Sequence, residues 1–344
     1  MPNPVLTQAI DRVAGRGDLS SDEAAAALAA IMSGDAGEAE TAGFLVGLRT
    51  KGETVEEITG LARAMRELSV PVESATSGLL DTAGTGGGAP TFNVSTTAAL
   101  IAAGAGCPVA KHGNRSSTSR CGSADVLEAL GARIDLEPGA VAACIDEVGF
   151  GFMFAPLHHP AMRHVVPVRR ALAVRTVFNL LGPLTNPAGA EHQLIGVSDP
   201  AFVEPIAAAL GALGGRSALV VSSEDGLDEI SGSAPTRVVE LRDGRTDSFT
   251  ISPEEAGVTP VPPGELQAGD PDHNAAVTRA VLAGEAGSAR ELAVLNSGAA
   301  IYAAGRAGSI ADGVAAARES IDSGAAAAVL DAFVTRTREL APAS

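Results

Sequence analysis

The chain has 344 residues, 46% of them hydrophobic, and a formal net charge of −17, enough apolar content for a sizeable core and the wrong sign for broad nucleic-acid contact, which needs many Lys and Arg. Cys107, Cys121 and Cys144 are odd in number and lack CxxC or metal-ligand spacing, which disfavours a disulfide framework or a structural zinc site. The opening MPNPVLTQAIDR has no basic segment leading into an apolar run, and no stretch of about 18 apolar residues follows, so a soluble cytoplasmic protein with no membrane partner is expected.

The first seventy or so residues carry helix signals and no strand signals. Ser20 with Glu23 and Thr54 with Glu57 are spaced as capping boxes, in which each side chain satisfies the other residue's free N–H. Val55, Ile58, Ala62 and Met65 recur at helical spacing, predicting an apolar face for core or subunit packing. A small helical domain over residues 1–72 is expected.

From Gly78 the pattern changes to short apolar runs, each followed by a glycine or polar turn and an Ala/Leu-rich stretch. That alternation predicts an α/β domain over 73–344, with a central mixed, mostly parallel β-sheet flanked by helices. Leu79-Leu80 precedes a glycine loop, Val109-Ala110 a basic loop, and Ala218 to Val221 an acidic loop. Ligands of open α/β sheets collect beyond the carboxyl ends of strands, where these loops lie. Val238 to Leu241 and Ser248 to Ile251, separated by Arg-Asp-Gly-Arg, predict a hairpin, and the tail from His273 predicts several helices.

Within the glycine loop, Gly84, Gly86, Gly87 and Gly88 are followed by Asn93-Val-Ser95-Thr96 and a helical run. A glycine cluster alone marks a tight turn. Hydroxyls that can cap the next helix, at its positive end, turn it into a place for phosphate oxygens. The basic loop Lys111 to Ser119 holds two fixed cations, His112, Asn114 and four hydroxyls without one acid, a density suited to clamping phosphate. His112 reads equally as a ligand contact or a structural hydrogen-bonding group. In the acidic loop, Asp228 and Glu229 supply hard oxygens of the kind Mg2+ takes alongside substrate phosphates and water; alone, such a pair is an ordinary exposed turn.

No acid occurs from Thr82 through Ala124 or from Gly151 through Ala190. Lys111, Arg115 and Arg120 lie in the first gap and Arg163, Arg169, Arg170 and Arg175 in the second, so facing gaps would make a positive pocket in an acidic protein. His158, His159 and His164 look superficially like a metal cluster, but the intervening proline and the lack of acids favour pocket walls. Arg169 or Arg170 is the candidate for holding a substrate carboxylate through a bidentate guanidinium.

The motifs GTGG, NVST, KHGNR, GSADVLEALG, HHPAMRHV, VFNLLGPLTNPA and GLDEIS occur in this order along most of the chain. In order and spacing the sequence resembles the anthranilate phosphoribosyltransferase family of the tryptophan pathway. The resemblance implies a helical domain completed by helices from about 160–185, homodimers packed through it, and transfer of the 5-phosphoribosyl group of phosphoribosyl pyrophosphate (PRPP) to anthranilate. It implies PRPP contacts at Gly84, Gly87, Asn93, Ser95, Thr96, Lys111, Ser119 and Ser123. The full candidate PRPP set adds Gly88, Thr91, Val94, His112, Gly113, Asn114, Arg115, Ser116, Ser117 and Thr118. Ser95, Asp228 and Glu229 would hold Mg2+, and Gly84, Asn114, His159 and Arg169 would contact anthranilate. Lys111, Asp228 and Glu229 would act electrostatically, without a covalent intermediate. The family usually has aspartate where this sequence has Gly88, directly after GTGG, so a changed magnesium dependence is expected. The alternatives are a pyrimidine-nucleoside phosphorylase, whose lysine-rich glycine signature is missing, and a non-catalytic nucleic-acid binder, which the charge opposes.

Overall fold

Four helices, Pro4–Ala14, Ser21–Met32, Glu38–Lys51 and Val55–Glu67, open the computed structural model, which describes residues 2–116, 120–262, 264–266 and 268–342. Both capping boxes form: Glu23 accepts from the Ser20 N–H and Glu57 from the Thr54 N–H, while each hydroxyl accepts from the glutamate's own N–H. Glu57 reaches further. Its fully buried carboxylate also accepts from the Leu19 N–H and from Lys51 Nζ, both at 2.9 Å, so one cap ties three segments together. Ile58, Ala62 and Met65 are buried as the spacing predicts, and Val55 is part-buried.

The sheet has seven strands: β1 (Leu80–Gly84), β2 (Val109–Gly113), β3 (Phe150–Phe154), β4 (His192–Gly196), β5 (Ser217–Ser223), β6 (Thr236–Arg242) and β7 (Arg245–Ile251). Their order is β3-β2-β1-β4-β5-β6-β7, parallel from β3 to β5 and antiparallel across β6 and β7. This is the mixed, mostly parallel sheet that was expected. The hairpin strands run longer than their apolar cores, leaving a two-residue turn. Asp243 (φ 48°) and Gly244 (φ 78°) are both left-handed, as the right-handed twist of the flanking strands requires.

Alternate residues of β5 enter different layers. Leu219 and Val221 pack with β1, β2 and the C-terminal helices Ser288–Ala303, Ile310–Asp322 and Ala325–Leu340. Ala218 and Val220 pack with the N-terminal helices through Leu28, Phe44 and Leu61, and with Val165, Val168, Phe178 and Leu181. The strand period of two thus splits the apolar residues between two cores. Among the described residues no helix is long and apolar enough to cross a membrane.

The chain builds β2 and β3 on one side of β1 and then returns to build β4 on the other. That reversal opens a crevice beyond the carboxyl ends of β1 and β4, where Gly84 and Gly196 are register partners.

Candidate active site

A cavity of about 700 Å³ fills this crevice. The two acid-free segments face one another across it: Lys111 and Arg115 line it from one, Arg163 and Arg169 from the other, and Asp228 and Glu229 are its only acids among the described residues. The two gaps therefore do meet, with a pair of carboxylates set between them, though Arg120, Arg170 and Arg175 do not line the cavity.

At one end, Ser95 stands in the first turn of helix Val94–Gly104, beside the glycine loop that follows β1. Lys111, only 1% exposed, extends from β2 beneath them. Its Nζ donates to the Thr82 carbonyl, to Thr82 Oγ1 at 3.2 Å and to Ser95 Oγ at 3.4 Å. Burial pushes its pKa down to about 8, opposed by the charges of Asp81 and Glu229. The fully buried Asp81 accepts from the His112 N–H and from Asn186 Nδ2, which also donates to the Ala110 carbonyl, so the floor under Lys111 is pinned from two sides.

The acidic loop lies across the sheet end because Gly196 has no side chain. A Cβ there would fall 1.4 Å from the Asp228 carbonyl oxygen. Asn296, from helix Ser288–Ala303, accepts from the Ile230 N–H and donates to the Ile230 carbonyl, both at 3.0 Å, which fixes the backbone beside Glu229. Glu229 is walled in by protein yet keeps some surface open to the cavity, and its Oε2 is occluded without a hydrogen-bond partner. Burial raises both carboxyls above their usual range; Asp228's charge adds to the effect on Glu229, and Lys111 opposes it. The Asp228 carboxylate accepts from the Gly86 N–H. Two crowded hard-oxygen groups, one with an orphaned oxygen, fit a hard divalent cation whose remaining ligands are water and phosphate. Among the described residues no cluster of three or more His, Cys, Asp or Glu could form a closed protein cage.

At the other end, Arg169 projects from helix Val166–Leu172 with its guanidinium 5.5 Å from the centre of the Phe178 ring. Burial alone lowers its pKa, and no carboxylate among the described residues forms an ion pair with it. This cation is set to receive an anionic group from outside. Arg170, one residue on, is exposed and away from the cavity, whereas Arg169, the residue the resemblance implied, lines it. The His112 and His159 rings pack with centroids 5.1 Å apart, tilted 53° to one another. Burial, reinforced by mutual repulsion with neighbouring histidines, pushes their pKa values down to about 3 and about 4, so both rings are neutral at pH 7. With Met65, Met162, Phe178 and Pro183 they make a wall suited to an aromatic ring.

The cavity brings together Gly84, Gly87, Asn93, Ser95, Lys111, His112, Gly113, Asn114, Arg115, Ser116, Ser123, His159, Arg169, Asp228 and Glu229. Four candidates do not line it. Val94 turns into the core, Thr96 is fully buried, Thr91 is part-buried outside the lining, and Gly88 backs onto the acidic loop. Ser117, Thr118 and Ser119 lie outside the described residues. Arg115, expected to offset pyrophosphate charge, instead binds Asp125 at 2.9 Å and Glu128 through both Nη atoms, because helix Ser123–Ala129 turns those acids toward it. Sequence reading missed Thr82, Thr85, Arg175, Ser198, Gly196 and Asn296. Arg175 Nη1 and Ser198 Oγ hold the Gly86 carbonyl at 2.8 and 3.0 Å, and Arg49 of the helical bundle donates to the Arg175 carbonyl. The acid-free gap had already contained Arg175; nothing local singled out the others.

Residues 7–69 match the helical bundle domain of a glycosyl transferase family, and residues 76–327 match that family's a/b domain. The anthranilate phosphoribosyltransferase of Rubrobacter xylanophilus is 54% identical over 98% of this chain and 99% of its own. The crystal structure of anthranilate phosphoribosyltransferase from Thermus thermophilus superposes with a TM-score of 0.91 at 46% identity, covering 96% of this chain and 99% of that one. The Saccharomyces cerevisiae enzyme, in complex with PRPP and Mg, gives 0.88 at 28% identity, covering 97% and 98%. These likenesses support the transferase reading and neither the phosphorylase nor the nucleic-acid alternative. A cavity with a phosphate-suited end and a carboxylate-suited end, on this fold and at this identity, leads to one conclusion: the chain belongs to the anthranilate phosphoribosyltransferase family.

Proposed function

We propose that the protein transfers the 5-phosphoribosyl group of PRPP to the amine of anthranilate and releases pyrophosphate, the second step from chorismate to tryptophan. The observation that carries this reading is the division of one cavity into two ends, Lys111, Ser95 and the orphaned Glu229 oxygen at one and the acid-free Arg169 at the other.

Anthranilate's amine is a weak base and is already neutral near pH 7, so activation falls on the sugar. The C1–O bond to pyrophosphate breaks with its electron pair leaving on oxygen, C1 takes on oxocarbenium character, and the nitrogen lone pair forms the C1–N bond before the amine releases a proton to solvent. Lys111, held rigidly by Thr82 and Ser95, stabilises the negative charge growing on the departing oxygen. Ser95, Asp228 and Glu229 would hold Mg2+, which supplies further charge neutralisation on pyrophosphate when bound. Arg169 takes the anthranilate carboxylate, Asn114 and Gly84 help align the amine with C1, and the neutral His159 packs beside the ring. The remaining PRPP contacts are assigned to the glycine-loop and basic-loop residues that line the cavity, apart from Arg115, whose guanidinium is taken by Asp125 and Glu128.

The helical domain is assigned to residues 1–72, completed by helices from about 160–185, with the α/β domain over 73–344. A homodimer packed through the helical domain is part of the same proposal, supported by exposed Val5 and Val46 on its first and third helices. The setting is the cytoplasm, with which three buried free thiols are compatible. The test follows anthranilate fluorescence with PRPP and magnesium supplied together and omitted singly. Loss of signal only in the complete mixture is expected; no loss there refutes the activity.

A further inference from the structure

Asn93 faces the cavity between the glycine loop and Ser95, and the orientation of its amide is set by the Cys121 carbonyl on one side and the Asn274 side chain on the other. Its Nδ2 donates to the Cys121 carbonyl at 3.3 Å, and since a carbonyl only accepts, the nitrogen must point that way. Its Oδ1 therefore faces Asn274. Asn274, 1% exposed on helix Pro271–Leu282, accepts the Gly269 N–H on its own Oδ1 at 3.0 Å, which an N–H donor requires, and so presents Nδ2 to Asn93 Oδ1 at 2.8 Å. Neither amide can turn over without losing a main-chain bond. Four residues further along the same helix face, Thr278 Oγ1 meets Thr97 Oγ1 at 3.0 Å, so the helix also holds the one that carries Ser95.

We propose that Asn274 is a positioning residue for the phosphoribosyl donor: by fixing the Asn93 amide, which also reaches the Cys121 thiol, it sets how Asn93 is presented to a sugar or phosphate oxygen in the cavity. The proposal rests on the PRPP reading of the site and adds a residue 181 positions away in sequence that touches no substrate.

Asn274→Asp tests it. The carboxylate still accepts from Gly269 but sets an acceptor against Asn93 Oδ1, which drives the amide to turn over and give up its Cys121 bond. The KM for PRPP should rise about tenfold, as for one lost hydrogen bond of about average strength, while the KM for anthranilate stays within about twofold. On an Asn93→Ala background the same substitution should add nothing, because the residue acts through Asn93. An unchanged PRPP KM, equal rises for both substrates, or the same rise on both backgrounds overturns the proposal. Should Asn274→Asp not fold, Asn274→Ala enters the same cycle with the same criteria. If Asn93→Ala itself leaves PRPP binding unaltered by calorimetry, the PRPP reading of this end fails together with the inference; if Asn93→Ala weakens binding and Asn274→Asp does not, the positioning role alone falls.

Discussion

Replacing Arg169 with Met keeps most of the side-chain volume and removes the charge at the carboxylate end of the cavity. The guanidinium sits 5.5 Å from the Phe178 ring centre and burial lowers its pKa, so its hydrogen-bonding capacity is held in reserve for an anion in a protected site. A charge-assisted hydrogen bond there contributes about 1.5 to 3 kcal/mol, which corresponds to a rise of roughly ten- to 150-fold in the anthranilate KM. The PRPP KM should stay within about threefold, because uniform binding of only one substrate is lost. Thermal stability should hold or improve, since the substitution removes a charge that burial disfavours without a carboxylate partner. Steady-state kinetics with each substrate varied in turn, together with a melting curve, check all three. An unchanged anthranilate KM, or equal rises for both substrates, refutes the assignment.

Glu229→Gln should raise the melting temperature, by removing a carboxylate that burial disfavours and that crowds Asp228, while cutting turnover by about a hundredfold or more, the scale of losing a fixed electrostatic group; a variant that is both less stable and fully active contradicts the reading. Gly88→Asp would put a Cβ 2.5 Å from Asp228 Oδ1 and 2.9 Å from the Gly226 carbonyl oxygen, so the glycine and acidic loops must part. Activity should survive with a shifted magnesium dependence and a lower melting temperature; identical magnesium titrations of the two proteins would show that the position does not matter. His159 is buried with its pKa down at about 4, below its unfolded value, so its stabilising contribution is complete above about pH 6.5 and is lost as pH falls toward 4. Over that fall to pH 5 the loss is about 2 kcal/mol, and His159→Gln should flatten the decline of melting temperature between pH 7 and 5; parallel declines would rule this out.

What the sequence determined by itself was whatever depends on neighbours within a few residues. The capping boxes at Ser20 and Thr54 close over three residues, the Asp243-Gly244 turn is set by two, and the glycine, basic and acidic loops carry their chemistry in their own composition. The family resemblance was legible for the same reason, since it rests on runs of adjacent residues. Strands β3 and β4 escaped because parallel strands covered on both faces lose the alternation that marks a strand; every residue of β4 is buried. The family resemblance had named Arg169; the residues themselves left Arg169 and Arg170 open, and only the rotational phase of one short helix sets the first against the cavity and the second away from it. Tertiary structure also turned Arg115 toward Asp125 and Glu128, set Gly196 opposite Gly84, and brought Asn296 to Ile230 and Asn274 to Asn93 across 66 and 181 residues. Such contacts arise where the sheet order and the two cores bring distant segments into register, and no local propensity encodes that.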